Sequence, residues 1–361
     1  MKKFLALVCF AVLLMAWMNS CKMCNKPKEV QLSHKDSLSA LIPGIDSVND
    51  QIQKDSLNAF LYFKRAQLFD ANKDYKRAVD DMFHALTLDS LRPEFFLYTA
   101  ELSKKTAEPR RGIALMDKAI ASDSMYIPFY VKAAELAFID TALKGNYRIA
   151  LAYLDEAILK NPQNADIYFY KGNVFKELGD TLKAISSFQT ATELNPKYYN
   201  AYMQIGLLLE KRKDKNAEKY LDNAIKVSDK PEDALYAKAN ILKEEGVALA
   251  DAHKDVQATE KFTRAIENFK KVIELDHRNA EACMGIGFTY YQMDSLYAAF
   301  HYYELATKIQ PTYAGAYYSM GLVMEELNRN KEAIMYFEDC LNIEPDFKKA
   351  DVHLKKLQAL R

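Results

Sequence analysis

AEACMGIGFTYYQMDSLYAAFHYYELATKIQPTY, residues 280–313, runs without a gap into AGAYYSMGLVMEELNRNKEAIMYFEDCLNIEPDF, residues 314–347. Counted from Ala280, Gly287, Ala299, Ala306 and Pro311 fall at places 8, 20, 27 and 32. Counted from Ala314, Gly321, Ala333, Cys340 and Pro345 fall at the same four, so the period is 34 residues. Small residues at fixed offsets, large apolar ones between them and a closing proline describe a helix, a turn and a second helix.

The frame extends backward to repeats starting near Ala59, Pro93, Ile127, Ala165, Tyr199 and Asp233. Place 8 carries Ala66, Ala100, Ala134, Gly172, Gly206, Asn240, Gly287 and Gly321, and only Asn240 breaks the rule. Place 20 is small throughout, from Ala78 and Gly112 to Ala333, once two insertions and one compensated deletion are allowed. Paired helices lie about 8 to 10 Å apart only where one offers a short side chain. Large partners fill the rest: Tyr62, Phe96, Tyr130, Tyr168, Tyr202, Tyr236 and Tyr317 at place 4, and Met82, Leu154, Phe188, Phe269 and Phe337 among those at place 24. Asn161-Pro162, Asn195-Pro196, Gln310-Pro311 and Glu344-Pro345 close four repeats, because proline cannot continue the helix before it. Asp55-Ser56, Asp89-Ser90 and Asp123-Ser124 take the same place earlier, where their oxygens are expected to cap the next helix. Extra residues around Lys144, Gly145 and Asn146 read as a longer turn, and thirteen more, from about Glu244 to Val256, as a lengthened hairpin that is either a tolerated insertion or a partner contact.

These residues and their spacing resemble the tetratricopeptide repeat. The resemblance implies an all-α solenoid, a right-handed superhelix of helix-turn-helix repeats occupying residues 41–347 as about eight repeats behind an N-terminal half repeat. Each repeat buries its apolar face only against neighbours, so the ends need caps. The half repeat near Gly44 and Val48 is expected to serve at one end, and residues 348–361 to form a closing helix at the other, with Lys348, Lys349, Lys355 and Lys356 on its solvated side.

Ahead of the array, Lys2 and Lys3 precede an apolar run from Phe4 to Met18, too short for a stable span and flanked like a secretory signal. Met18-Asn19-Ser20-Cys21 resembles a bacterial lipobox, which implies cleavage after residue 20 and lipidation of Cys21 by several acyl chains such as palmitate; an ordinary signal peptide leaving Cys21 as a thiol is the alternative. Residues 21–40 read as a flexible tether. No sorting aspartate or acidic cluster follows Cys21, so by resemblance to envelope lipoproteins the expected location is the outer membrane, facing the periplasm. Without residues 1–20 the chain loses two of 49 basic residues against 49 acidic ones, a net charge of about −2 that gives no basic stripe for nucleic acid. Cys283 and Cys340 fall at packing places and read as small core residues rather than disulfide partners.

Chemistry is not signalled. The six histidines are scattered, none at metal-ligand spacing, and no phosphate loop, dinucleotide fingerprint or nucleophile elbow is present, so no catalytic residue, metal or cofactor is expected. The resemblance places binding on the first helices, which line a groove for an extended peptide or partner helix. Carried onto this chain, those places give Phe60, Phe63, Lys64, Tyr98, Glu101, Phe169, Tyr170, Asn173, Met203, Gln204, Met284, Phe288, Tyr291 and Tyr318. A clamp for chaperone tails is disfavoured, since Phe169 stands where that subfamily has lysine and Gln204 where it has asparagine. The expected function is a non-enzymatic, lipid-anchored adaptor of the bacterial envelope, similar in plan to periplasmic repeat lipoproteins. A subunit of a secretion, motility or outer-membrane assembly machine is the alternative, and an envelope enzyme or small-molecule receptor a remote one.

Overall fold

A computed structural model describes residues 42–140 and 146–359. The expected leader, Cys21 and the expected tether lie outside the described residues, as do Lys144 and Gly145 of the expected longer turn, whose Asn146 is the first residue of a helix. Eighteen α-helices and no strand occur among the described residues, and none of the helices is long and apolar enough to cross a membrane. The chain divides into two compact units, residues 1–119 and 120–361.

In the first unit α1 (Ile45–Lys54) precedes the hairpin of α2 (Ala59–Ala71) and α3 (Tyr75–Leu88), then α4 (Pro93–Lys105) and α5 (Pro109–Ser122), within which the unit boundary falls. Ile45, Val48 and Ile52 bury one face of α1 in the same core as Tyr62, Ala66 and Met82. The opposite face carries Asp46, Ser47, Asp50 and Gln51, as an array end requires. Arg65 locks this end: its guanidinium donates two 2.7 Å bonds to Asp81 on α3 and one of 2.9 Å to Asn49 on α1.

The second unit pairs α6 (Ile127–Ile139) with α7 (Asn146–Lys160), α8 (Ala165–Glu177) with α9 (Thr181–Leu194), and α10 (Tyr199–Lys211) with α11 (Ala217–Val227). Then come α12 (Glu232–Asp251) with α13 (Asp255–Leu275), α14 (Ala280–Gln292) with α15 (Leu296–Ile309), α16 (Ala314–Glu326) with α17 (Asn330–Ile343), and the closing α18 (Lys348–Ala359). Consecutive helices pack side by side, and Ala350 and Leu357 of α18 are buried against the last hairpin.

Close approach accounts for the period. The place-20 residues Ala78, Ala150, Ala184, Ala265, Ala299 and Ala333 are fully buried, as are Ala85, Ala119, Ala157, Ala191, Ala224 and Ala306 at place 27. A methyl group on Gly172 would come 2.6 Å from the Phe188 ring, on Gly287 2.6 Å from Tyr303, and on Gly321 2.5 Å from Phe337. Glycine at place 8 therefore lies directly against the place-24 ring sixteen residues later. Cys283 and Cys340 are free thiols in the core, each pushed up to about 11 by burial.

Three details differ from the sequence reading. First, place 15, between the two helices of a hairpin, is left-handed at Lys73, Ala107, Gly179, Lys213, His253, Asp294 and Asn328. The chain there closes with a bond such as Asp74 N–H to Phe69 O (2.9 Å) or Arg329 N–H to Met324 O (2.8 Å), the Schellman geometry of a helix end. Second, the place-31 side chains accept from the turn itself: Asp89 from Leu91 N–H (3.1 Å), Asn161 from Gln163 (3.1 Å) and Asp276 from Arg278 (3.0 Å). The serines contribute carbonyls, with Tyr62 Oη donating to Ser56 O and Tyr130 Oη to Ser124 O, both at 3.1 Å. Third, Asn240 is not at place 8 in its repeat. α12 and α13 have 20 and 21 residues, and Gly246 meets Phe262 in the manner of the other hairpins, at 2.5 Å from an added methyl. With the left-handed residue at His253, the outer part of this hairpin keeps the full frame counted from Ala239. The insertion adds roughly two turns to each helix, which returns the next small residue to the same face.

The left-handed place supplies a test of opposite signs. Gly179 has φ +77 and open space around an added methyl, so Gly179→Ala is expected to cost about 1 kcal/mol through backbone strain alone. Ala107→Gly, at φ 57, is expected to stabilise by up to about 1 kcal/mol. Thermal unfolding of the two variants should shift in opposite directions.

Candidate functional site

The first helix of each repeat presents places 2, 5, 6, 9, 12 and 13 on one face, and the fold divides the expected binding residues there into three groups. One group is structural. Phe63 packs on Phe95 and Tyr98, with ring centroids 5.1 and 5.3 Å away. Phe169 stacks on Tyr198 at 5.0 Å and touches Phe188 at 5.5 Å. Met203 joins the core around Ile205 and Leu221, Met284 that around Cys283 and Ala306, and Tyr318 packs on Phe337 and Phe347.

A second group ties one repeat to the next. Asp70 at place 12 accepts from Tyr98 Oη (2.8 Å) and from Lys105 Nζ (2.7 Å), both on the following first helix. Lys176, at the same place on α8, donates to Gln204 on α10 at 3.3 Å, and Tyr291 on α14 bonds Glu326 on α16. Burial, reinforced by Asp70 and Glu326, pushes the Tyr98 and Tyr291 hydroxyls well above the usual tyrosine range, so both remain donors. Phe288 lies 5.4 Å below Lys243 Nζ, a cation–π contact between α14 and α12.

The third group is open to a ligand. Phe60 and Lys64 are exposed on α2. In the second unit, Tyr170 and Asn173 of α8 line an apolar cleft of about 140 Å³ with Ala134, Glu135, Phe138 and Ile139 of α6, Leu154 of α7 and Val174. Among the described residues no hydrogen bond engages the Asn173 side chain at its rim. The sequence reading omitted Glu135, Phe138 and Ile139, although counting from Ile127 puts them at places 9, 12 and 13, the same places that gave Asn173 and Tyr291. A second depression, about 230 Å³, is acidic, lined by Glu232, Asp233, Tyr236, Asn279 and Glu281 at the starts of α12 and α14. No group of three or more metal-ligating side chains converges among the described residues.

At the C-terminal end of this face Glu325 replaces an inter-repeat bond with a cap. Its carboxylate lies 2.6 Å from His353 Nδ1 and 2.7 Å from Lys356 Nζ, both on α18. Burial opposes its ionisation, but the bonds from Lys356 and His353 outweigh burial and hold it below the usual glutamate range.

Comparison with known proteins agrees with this architecture. Residues 144–199, 280–313 and 314–347 match family models of the tetratricopeptide repeat. The C-terminal part of a TPR repeat-containing protein from Cytophaga hutchinsonii superposes with a TM-score of 0.57 at 18% identity, over 72% of this chain and 99% of that one. Among curated proteins, DnaJ homolog subfamily C member 3 of Bos taurus is 22% identical over 218 residues, 60% of this chain and 43% of that protein. A TPR repeat-containing protein of Methanocaldococcus jannaschii is 36% identical over 72 residues, 20% of this chain and 23% of that one. The chain thus spans less than half the length of the curated relatives it matches. Residues 144–199 and 280–347 are thus tetratricopeptide repeats, and the other described helices, the first and last apart, form hairpins of the same kind.

The Glu325 cap predicts a pH dependence. Because its folded value lies below the 4.5 of an unperturbed glutamate, its contribution is fully present above about pH 4.5 and is lost as pH falls through the folded value. Glu325→Gln should unfold more easily than wild type at pH 7, with the difference shrinking toward pH 3 in thermal melts.

Proposed function

We propose that the protein is a lipid-anchored adaptor of the bacterial envelope, at the periplasmic face of the outer membrane, that holds a protein partner on the first-helix face of its second unit. The observation that carries the binding half of this reading is the cleft between α6 and α8. It is apolar, and its volume of about 140 Å³ is close to that of cavities that accept a benzene ring. Asn173 at its rim can both donate and accept. Such a cleft suits one large apolar side chain of an extended segment, with Asn173 bonding the segment's backbone beside it. The repeats supply rigid walls, so little ordering cost falls on the protein when the segment binds. The anchoring half rests on the sequence from Lys2 to Cys21.

Crosslinking in cells identifies the partner, and two substitutions then separate binding from folding. Asn173→Ala is expected to weaken the complex about tenfold or more, since an unpaired buried polar group on the ligand costs roughly 1 to 3 kcal/mol, with the melting temperature unchanged. Phe169→Ala, which removes the stack on Tyr198, should lower stability by about 2 kcal/mol or more. Undiminished capture by Asn173→Ala would move the site away from this cleft.

A further inference from the structure

Place 33, the apex of the turn between repeats, holds Leu57 and Leu91 in the first unit, 78% and 86% exposed. Met125 takes the place next, at 64% exposure. Thereafter the place carries Gln163, Lys197, Pro231, Arg278, Thr312 and Asp346, with no large aliphatic side chain. The fold does not demand leucine. The same turn closes over Lys197, whose N–H donates to Asn195 at 3.0 Å, and over Arg278, as it does over Leu91. Phe60, the second residue of α2 and three residues after Leu57, is 53% exposed.

The carboxylates beside these turns are hydrogen-bonded. The Asp89 carboxylate accepts from Leu91 N–H and from Arg92 Nε (2.7 Å), and Asp55 accepts from Asn58 Nδ2 (3.1 Å). The apolar side chain therefore points outward while the nearby carboxylates are occupied. The repeats that carry these residues are the ones next to the apolar run Phe4–Met18 and Cys21. Residues 22–41 between Cys21 and the first described residue can span no more than about 70 Å.

We infer that the turn edge of the first unit formed by Leu57 and Leu91, with Phe60, rests on the phospholipid bilayer that holds the N-terminus. The inference depends on the anchoring reading above. A lipid tail alone fixes the chain to a membrane without orienting it, and shallow insertion of two or three apolar side chains supplies the second attachment that sets orientation. At place 33 the large apolar side chains occupy only the first three turns, those nearest the N-terminus, which is what a bilayer edge beside the anchor requires and a ligand groove along the first helices would not produce.

The test uses the full chain produced in a bacterium and reconstituted into phosphatidylethanolamine–phosphatidylglycerol vesicles with brominated acyl chains. Trp17, the sole tryptophan, lies in the leader that cleavage after residue 20 removes, so the lipidated chain is itself a silent background. Leu57→Trp and Leu91→Trp are expected to lose most of their emission to the brominated lipid, while Lys197→Trp, at the equivalent apex, keeps its own. Vesicles that retain the chain but quench positions 57 and 91 no more than 197 would overturn the bilayer contact and leave the anchor intact. Blue-shifted but unquenched emission at 57 and 91 would also overturn it, in favour of a protein partner on this edge. Chain that fails to float with the vesicles would overturn anchor and contact together.

Discussion

The structure depends on one contact that five hairpins make with variations: a glycine on the first helix lies directly against a large side chain on the second. Gly172 with Phe188, Gly246 with Phe262, Gly287 with Tyr303 and Gly321 with Phe337 are its aromatic forms, and Gly206 with Leu221 an aliphatic one. Because the partners are about sixteen residues apart, the contact is local, and each hairpin can form it before its neighbours are in place. The α12–α13 hairpin shows how strict the requirement is. An insertion there is accommodated only by repeating the same glycine–aromatic pairing, Gly246 with Phe262, farther along the same two helices.

Once hairpins are fixed, the side chains of the first helices have two possible fates. Where place 12 of one repeat can bond place 6 or 13 of the next, as in Asp70 with Tyr98 or Lys176 with Gln204, polar groups become joints between repeats. Between α6 and α8, where place 12 is the apolar Phe138, the helices leave an apolar cleft with Asn173 at its edge. The extended hairpin is not detached from these joints: Lys261 and Arg264 of α13 both pair with Glu218 of α11, at 2.7 and 2.6 Å.

Much of this was legible in the sequence because close approach leaves a composition signature. Alanine and glycine at places 8, 20 and 27 could be read as contacts, and the fully buried Ala184, Ala299 and Ala333 lie at such contacts. The left-handed residue at place 15 left no signature, since Lys73, Ala107, His253 and Asn328 share only a backbone conformation imposed by the helix-end bonds. The displaced frame in α12 was hidden by the alanine-rich insertion, in which Ala239 and Ala248 compete with Gly246 as candidate small residues. The aromatic face was half legible. Phe63, Phe169 and Tyr318 sit at groove places yet pack inward, because neighbouring Tyr98, Tyr198 and Phe347 offer them a closer partner than solvent does.

The glycine–aromatic contact can be tested directly by a double-mutant cycle on Gly321→Ala and Phe337→Leu, with stability read from urea unfolding. Alanine's higher helix propensity is common to both backgrounds and cancels in the cycle. If the contact organises the hairpin, the added methyl costs less once the ring is replaced by the smaller leucine, and the two changes couple by about 0.5 kcal/mol or more. Strictly additive effects would contradict it, because Gly321 would then owe its place in the repeat to something other than the Phe337 ring.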